Sequence, residues 1–278
     1  MARIAFQGAL GAYSHQACLE ACPDYEPLPC STFEGAFEAV RDGTAALAMI
    51  PVENSTYGRV ADVHQLLPSS GMHILSEHFV RVHISLLGQP GTRLEQITRA
   101  TSHTVLLGQC RSFLQKHRIE RVTGYDTAGA AKMVRDSDDP TLAALASPLA
   151  GQIYGLDTLA EQIEDATNNT TRFLLMSPTP ARPEPGPDVL TSFVFRVRNL
   201  PAALYKAMGG FATNGVNMVK LESYMVGGSF TATQFYADIE GHPDDPAVAR
   251  ALEELAYFTS YLHILGVYPS DPSRRGVQ

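Results

Sequence analysis

Cysteine is scarce, no apolar run is long, and basic residues fall short of acidic ones. The 278-residue chain has four cysteines, too few for a disulfide scaffold. Cys18 and Cys22 lie four apart, as on one helix face, while Cys30 and Cys110 are isolated. No CxxC occurs and no histidine pair completes a zinc-ligand spacing, so no metal is expected and the thiols read as buried in a reducing cytoplasm. No stretch reaches the ~18 apolar residues of a membrane span. Met1-Ala2-Arg3 leads into the strand-length run Ile4-Ala5-Phe6, not the apolar core of an export signal. Lysine and arginine number 21 against 29 acidic residues, a formal charge of −8. The acidic balance, without a basic stripe, argues against nucleic acid as the main partner, and an anionic substrate would need local donors working against the net field.

What is present points to packed domains. Apolar residues make up 45% and charged residues 18% of the chain, which rules out long disorder and is ample for two cores at this length. One boundary is plain: Ser177–Asp188 holds five prolines in twelve residues, a semi-rigid spacer that continues neither helix nor central strand. Before it, short strands at Ile4–Gln7, Ala46–Ile50, Arg99–Ser102, Val122–Tyr125 and Leu142–Ala146 alternate with helical patterns. Those patterns fall near Ser14–Ala21, Phe33–Arg41, Val60–Leu67, Leu106–His117, Ala128–Arg135 and Leu149–Leu159. The alternation predicts α/β lobes with parallel sheets. Met72–Leu87 is long enough to cross between two sheets, with a return through Glu161–Met176. Lobe one is thus expected at about 1–75 and 162–176, lobe two at about 76–161, with a ligand cleft between them. After the spacer, 189–278 reads βαββαβ, the ferredoxin-like split motif: Val189–Val197, Pro201–Thr213, Val216–Tyr224, Phe230–Ile239, Pro246–Tyr257 and Tyr261–Val267, with Gly227-Gly228 suited to a hairpin turn.

Several segments could carry chemistry. Gly8–Ser14 is a glycine-rich strand-to-helix turn whose backbone N–H groups suit a carboxylate or phosphate, or it is a plain tight turn. The Rossmann spacing is absent, which disfavours a nicotinamide cofactor. Pro51–Gly58 follows a strand and reads as a binding loop, although Asn54 or Ser55 could merely cap the next helix. Thr101-Ser102-His103 ends a strand and Gln109 sits on the helix beyond, so Ser102 and Gln109 could face one cleft. Ser102 and His103, adjacent on a strand, make a poor serine–base pair. Cys110 beside Arg111 is either a thiol nucleophile or an inert helix cysteine. Arg172, in Asn168–Phe173, can fork onto a carboxylate or bridge Glu164 or Asp165.

In this order the segments resemble the prephenate dehydratase family. GALGAYSHQA at 8–17, PVENSTYG at 51–58, TSH and GQCRSFL within 101–114, AALASPLAGQIYGL at 143–156 and NNTTRF at 168–173 carry the likeness. LPAALYKAMGGFATNGVNMVKLES at 200–223 and DIEGH at 238–242 resemble the amino-acid-binding ACT module. The resemblance implies a two-lobed, periplasmic-binding-protein-like catalytic domain over 1–176 and an ACT regulatory domain over 189–278. It implies conversion of prephenate to phenylpyruvate, water and carbon dioxide in phenylalanine synthesis, without cofactor or metal.

By the same resemblance Thr171 is the essential hydroxyl, Glu53 the candidate acid, and Ser102 and Gln109 substrate-linked positions. Arg172 and the Ala12-Tyr13-Ser14 backbone would hold carboxylates, with Asn54, Ser55, Asn168, Thr170 and Phe173 completing the lining. An L-phenylalanine site is implied at Asn199, Leu200, Ala202, Ala203, Leu204, Asn214, Asn217, Glu222 and Ser223, between modules of a homodimer or homotetramer. Here the ACT pattern departs from the family: Ala202 replaces the usual glycine, and Tyr224-Met225 replace arginine and proline. An arogenate dehydratase and a non-catalytic amino-acid sensor are the competing readings. No chorismate mutase segment is evident, so the chain reads as monofunctional.

Overall fold

The computed structural model describes residues 1–124, 126–226 and 232–276. Its elements run β1 (Arg3–Gln7), α1 (Tyr13–Ala21), β2 (Glu26–Cys30), α2 (Phe33–Arg41), β3 (Leu47–Asn54), β4 (Gly58–Arg59), α3 (Ala61–Leu66), β5 (His73–Arg81) and β6 (Ser85–Gly88). There follow β7 (Arg99–Ser102), α4 (Thr104–Gln109), α5 (Arg111–His117), β8 (Glu120–Thr123), α6 (Thr127–Asp136), β9 (Leu142–Ala146), α7 (Pro148–Tyr154), β10 (Asp157–Ala160) and β11 (Thr170–Ser177). The last six are β12 (Val189–Val197), α8 (Ala203–Thr213), β13 (Met218–Met225), β14 (Ala232–Glu240), α9 (Pro246–Phe258) and β15 (Thr259–Pro269). The chain folds as two compact units, one of Met1–Val60 and His78–Phe173, the other of Ala61–Glu77 and Leu174 onward. Tyr125, Gly227-Gly228 and Phe230 lie outside the described residues. Among the described residues no helix is long and apolar enough to cross a membrane.

The first unit contains two sheets. In one, β2, β1 and β3 run parallel and the start of β11 lies beside β3. Strand β2 escapes sequence reading because its five residues include Pro27 and Pro29. It lies at the sheet edge, where their missing N–H groups face outward and cost no ladder bond. The other sheet has the order β10-β6-β9-β7-β8. Its alternating residues supply two cores: Leu86, Ala143 and Leu145 pack with Leu107 and Leu114, and Leu87, Ala144 and Ala146 with Ala131, Val134 and Ala150. The expectation of an all-parallel sheet is corrected here, because β6 pairs antiparallel with both β9 and β10. It enters straight from β5 with no crossover helix to impose a parallel direction.

Two expected helices are also cut short. The Leu106–His117 pattern breaks at Cys110, where Asp165 donates its N–H to the Gln109 carbonyl at 2.6 Å and accepts the Ser112 N–H at 3.2 Å. A neighbouring segment inserted into the ladder accounts for the break. The Leu149–Leu159 pattern ends at Gly155, which takes the left-handed conformation of a helix C-terminus, before strand β10.

In the second unit β12-α8-β13-β14-α9-β15 form the expected split motif, with antiparallel strands in the order β13-β14-β12-β15. Phe193, Phe195, Phe235, Ala237 and Ile239 face Ala207, Phe211, Leu252 and Leu255 of the two helices. The opposite face carries a buried polar cluster beside Leu190 and Val194. Ser192 Oγ donates to Asp238 Oδ1 at 2.5 Å and lies 2.6 Å from the Tyr268 hydroxyl, all fully buried. Sequence reading placed lobe one at about 1–75 and began lobe two at about 76, whereas Ala61–Glu77 groups with this unit. Ile74 pairs with Gly266, and the His64 ring meets Tyr236 edge-on at 5.0 Å.

Candidate functional site

The segment expected as a loop at Pro51–Gly58 is instead the end of β3, a tight turn and β4, with Asn54 opposite Gly58. The Asn54 side chain closes the turn: its Oδ1 accepts from the N–H groups of Thr56 at 2.9 Å and Tyr57 at 3.0 Å. That fixes the amide's orientation and aims Nδ2 at Asn169 Oδ1 (2.7 Å) and Thr171 Oγ1 (3.0 Å). Ser55 clamps the turn to the chain before β11. It receives the Thr170 N–H at Oγ (2.9 Å), donates Oγ to the Asn168 carbonyl (2.8 Å), and donates its N–H to the Thr170 carbonyl (2.9 Å). Ser55, Asn168 and Thr170 therefore hold the frame on which Asn54 and Thr171 meet.

Strand alternation separates the remaining members of the motif. Asn54 and Thr171 meet on one side of β3 and β11, and Glu53 and Arg172 on the other. Arg172 is 1% exposed and donates Nη1 to Glu53 Oε1 at 2.9 Å. The alternative partners are taken: Glu164 accepts the Ile84 N–H at 2.9 Å and lies 3.2 Å from His83 Nδ1, and Asp165 sits on Ser112. Arg172 thus braces the strand pair, and Phe173 beside it is core. In this pair Glu53 is the acceptor.

Ser102 is 0% exposed, with Oγ donating to the Leu145 carbonyl at 2.7 Å, so it fastens β7 to β9. Gln109 is buried with its Oε1 left without a hydrogen-bond partner among the described residues. Asn169 Nδ2 is in the same state. A buried acceptor and a buried donor left open in this way are what a polar ligand would complete. The Cys110 thiol is fully buried, its pKa pushed far up by burial and then by Glu164 and Asp165, which removes it as a nucleophile.

The glycine turn is built from both sheets of this unit. Gly11 has φ +90°, and an added Cβ would lie 2.7 Å from Ala150 Cα. Its carbonyl accepts the Ser147 hydroxyl at 2.5 Å, and its N–H donates to His15 Nδ1 at 3.0 Å. Ala12, at the N-terminus of α1, has no side-chain cap, Ser14 is buried, and Tyr13 donates its hydroxyl to the His83 carbonyl at 2.8 Å. Burial, then Cys110 and Glu164, raises the Tyr13 pKa and keeps that phenol protonated.

Sequence reading missed His15, Asn169 and Tyr57, whose hydroxyl donates to the Val105 carbonyl at 3.2 Å. Only the doubled Asn168-Asn169 carried a usable signal. Among the described residues no group of three or more histidine, cysteine or acidic side chains could hold a metal ion.

The family model described as prephenate dehydratase matches residues 4–181. The chain belongs to that family. A bifunctional N-acyl-homoserine lactone acylase/prephenate dehydratase of Komagataeibacter europaeus is 52% identical over 98% of this chain and 97% of its own length. Arogenate dehydratase/prephenate dehydratase 1 of Arabidopsis thaliana, a chloroplastic protein, is 39% identical over 97% of this chain and 72% of its own. The crystal structure of an Arthrobacter aurescens prephenate dehydratase in complex with L-Phe superposes with a TM-score of 0.89 at 32% identity, covering 96% of this chain and 90% of that one. The fold is accordingly that of prephenate dehydratases: mixed α/β with two sheets in the catalytic region.

In the second unit the residues expected to bind L-phenylalanine do not form one cluster within a single chain. Ala202 opens α8 with φ +61°, next to exposed Leu200, whereas Asn214 and Asn217 lie at the other end. The 11 residues of α8 span about 16 Å at 1.5 Å per residue. Asn214 bonds Arg250 Nε at 2.9 Å and Glu254 Oε1 at 3.1 Å, Asn217 bonds Glu240 Oε2 at 3.0 Å, and Glu222 pairs with Lys220 at 3.1 Å.

Proposed function

We propose that the chain catalyses the decarboxylating dehydration of prephenate to phenylpyruvate, water and carbon dioxide. The observation that carries this reading is the Asn54–Thr171 contact. Because Thr171 Oγ1 accepts from Asn54, its own proton is directed outward, where it can donate to the leaving ring hydroxyl. A threonine is too weak an acid to transfer that proton alone; donation into its oxygen makes it a better hydrogen-bond donor, and aromatisation supplies the driving force. Gln109 Oε1 and Asn169 Nδ2 would complete the polar lining, and the N–H groups of Tyr13 and Ser14 in the first turn of α1 would receive a carboxylate, the Ala12 N–H being bonded to the Ala9 carbonyl at 3.1 Å. Ser102, Arg172 and Glu53 act on this reading as positioning residues.

The test is steady-state turnover by the purified full chain, with prephenate and arogenate in parallel arms. Prephenate is expected to give the higher kcat/KM. Higher turnover of arogenate would reassign the substrate, and turnover of neither by folded protein would overturn the reading. Feedback by L-phenylalanine is part of the proposal, supported by the L-Phe complex of the Arthrobacter aurescens relative. The separation of Ala202 from Asn214 supports a ligand site completed by a second copy, hence a dimer or tetramer. Inhibition requires that the ligand favour the less active arrangement. Calorimetry and kinetics on the full chain should show binding and loss of rate together; binding without loss of rate would remove the regulatory role.

A second reading rests on the Komagataeibacter europaeus relative, whose name includes acylase activity. Hydrolysis of the amide of an N-acyl-homoserine lactone to a fatty acid and homoserine lactone, by protein that also turns over prephenate, would establish it, and recovery of the substrate with its amide uncleaved would dismiss it.

A further inference from the structure

The first unit carries a pocket of about 290 Å3 that shares no residue with the Asn54–Thr171 cluster. It opens among Gln16, Leu19 and Glu20 on α1, Arg81 at the end of β5, and Leu149 and Gln152 on α7. Arg81 is half-buried and its Nε, shut off from solvent, finds no hydrogen-bond acceptor. No ion pair to Arg81 forms among the described residues. Glu164, a carboxylate of the same unit, is committed to Ile84 and His83. A guanidinium is costly to bury with a donor unmet, and its planar fork matches a carboxylate.

The pocket's acidic group is Glu20, and the His83 imidazole, which lies 3.2 Å from Glu164 Oε1, also lines it. Glu20 Oε1 accepts from Gln16 Nε2 at 2.7 Å and Glu20 Oε2 lies 2.9 Å from His78 Nε2. Each carboxylate oxygen has a second lone-pair direction, so Glu20 can still accept from an ammonium group. Leu19 and Leu149 supply apolar wall between the two charges. A simple anion would meet Glu20 and a simple cation would meet Arg81. The combination selects a ligand that carries both signs and a small apolar body.

We infer that this pocket binds a free α-amino acid with an aliphatic side chain, its carboxylate on Arg81 and its ammonium on Glu20. The inference does not depend on the dehydratase reading. It is tested by titration calorimetry of the full chain with L-leucine, with 4-methylpentanoate, which lacks the ammonium, and with 3-methylbutylamine, which lacks the carboxylate. Saturable leucine binding at ~1 mM or tighter is expected, with each singly charged analogue at least ~10-fold weaker. Arg81→Gln should weaken leucine by at least ~10-fold and Arg81→Lys by less. The exposed substitution Glu20→Gln, which spares the core, should weaken leucine but not 4-methylpentanoate. Absence of saturable binding would overturn the inference. So would leucine affinity unchanged in the Arg81 or Glu20 variants, or 4-methylpentanoate binding as tightly as leucine.

Discussion

Thr171 reaches its partner across more than a hundred residues of chain, and that single contact organises the proposed chemistry. Thr171→Ala should lower kcat/KM by at least ~10²-fold, the scale of a lost transition-state contact, while Thr171→Ser should retain far more. Equal loss in both would transfer the role to the methyl group. Asn54→Asp keeps an acceptor for the turn but removes the donor to Thr171, so it should lose activity with its circular dichroism unchanged. Combined with Thr171→Ala it should add little, because the two act as one unit. Glu53→Gln keeps a hydrogen-bond acceptor for Arg172. A pH–rate profile unchanged in shape is expected if Glu53 only positions, and loss of the basic limb would restore it as the acid. Ala202 offers a stability test, since a non-glycine residue at φ +61° is disfavoured by about 1 kcal/mol. Ala202→Gly should raise the denaturation midpoint, offset in part by the entropy of glycine in the unfolded chain.

At the scale of elements, the turn between β1 and α1 depends on Gly11 and His15. Gly11→Ala adds both left-handed strain and a clash with Ala150, and should cost about 2–3 kcal/mol in urea unfolding. His15 stacks on Phe6 with centroids 5.6 Å apart, and burial lowers its pKa from the usual histidine value. A histidine kept neutral by the fold binds its proton in the unfolded chain, so stability should fall as pH drops below ~6.5. His263, lowered by burial and by His73, acts in the same direction. His15→Gln should flatten part of that decline in the denaturation midpoint between pH 7 and 5. Elements with a clean period, such as α2, β7, β9 and β12, were legible to the residue. Strand β2 was hidden by its prolines, and β3 was read short because Pro51 stands where pairing with β1 has already ended. The candidate site was legible as motifs but not as geometry. Sequence brings Glu53, Asn54, Thr171 and Arg172 to one place, and only the pleat tells which pairs share a face.

At the scale of the whole molecule, the second unit is fastened by the segment that follows β15. Arg274 grips Glu77 with Nε on Oε1 at 2.5 Å and Nη2 on Oε2 at 2.8 Å, and the Asp271 N–H adds a third bond at 3.0 Å. Glu77 is 0% exposed in its side chain, so Arg274→Ala leaves a carboxylate buried without its main partner and should cost about 3 kcal/mol in thermal or urea unfolding. Arg274→Lys, which cannot bind both oxygens, should fall between.

The same unit takes Ala61–Glu77 from the middle of the chain, and this bears on how such a protein can be inherited in pieces. A recombination point placed in the proline-rich spacer would pass on β12 through β15 without His64, Ile74 or Glu77. The recipient would receive a sheet whose Gly266 keeps Ser192 but has lost Ile74 on β5, and whose Tyr236 has lost a ring neighbour. Expressed from Pro178 onward, the segment should give poorly dispersed amide resonances. Joined to a copy of Ala61–Glu77, it should recover. The spacer marks where the chain is easy to cut on paper, and the fold makes that cut costly to a lineage.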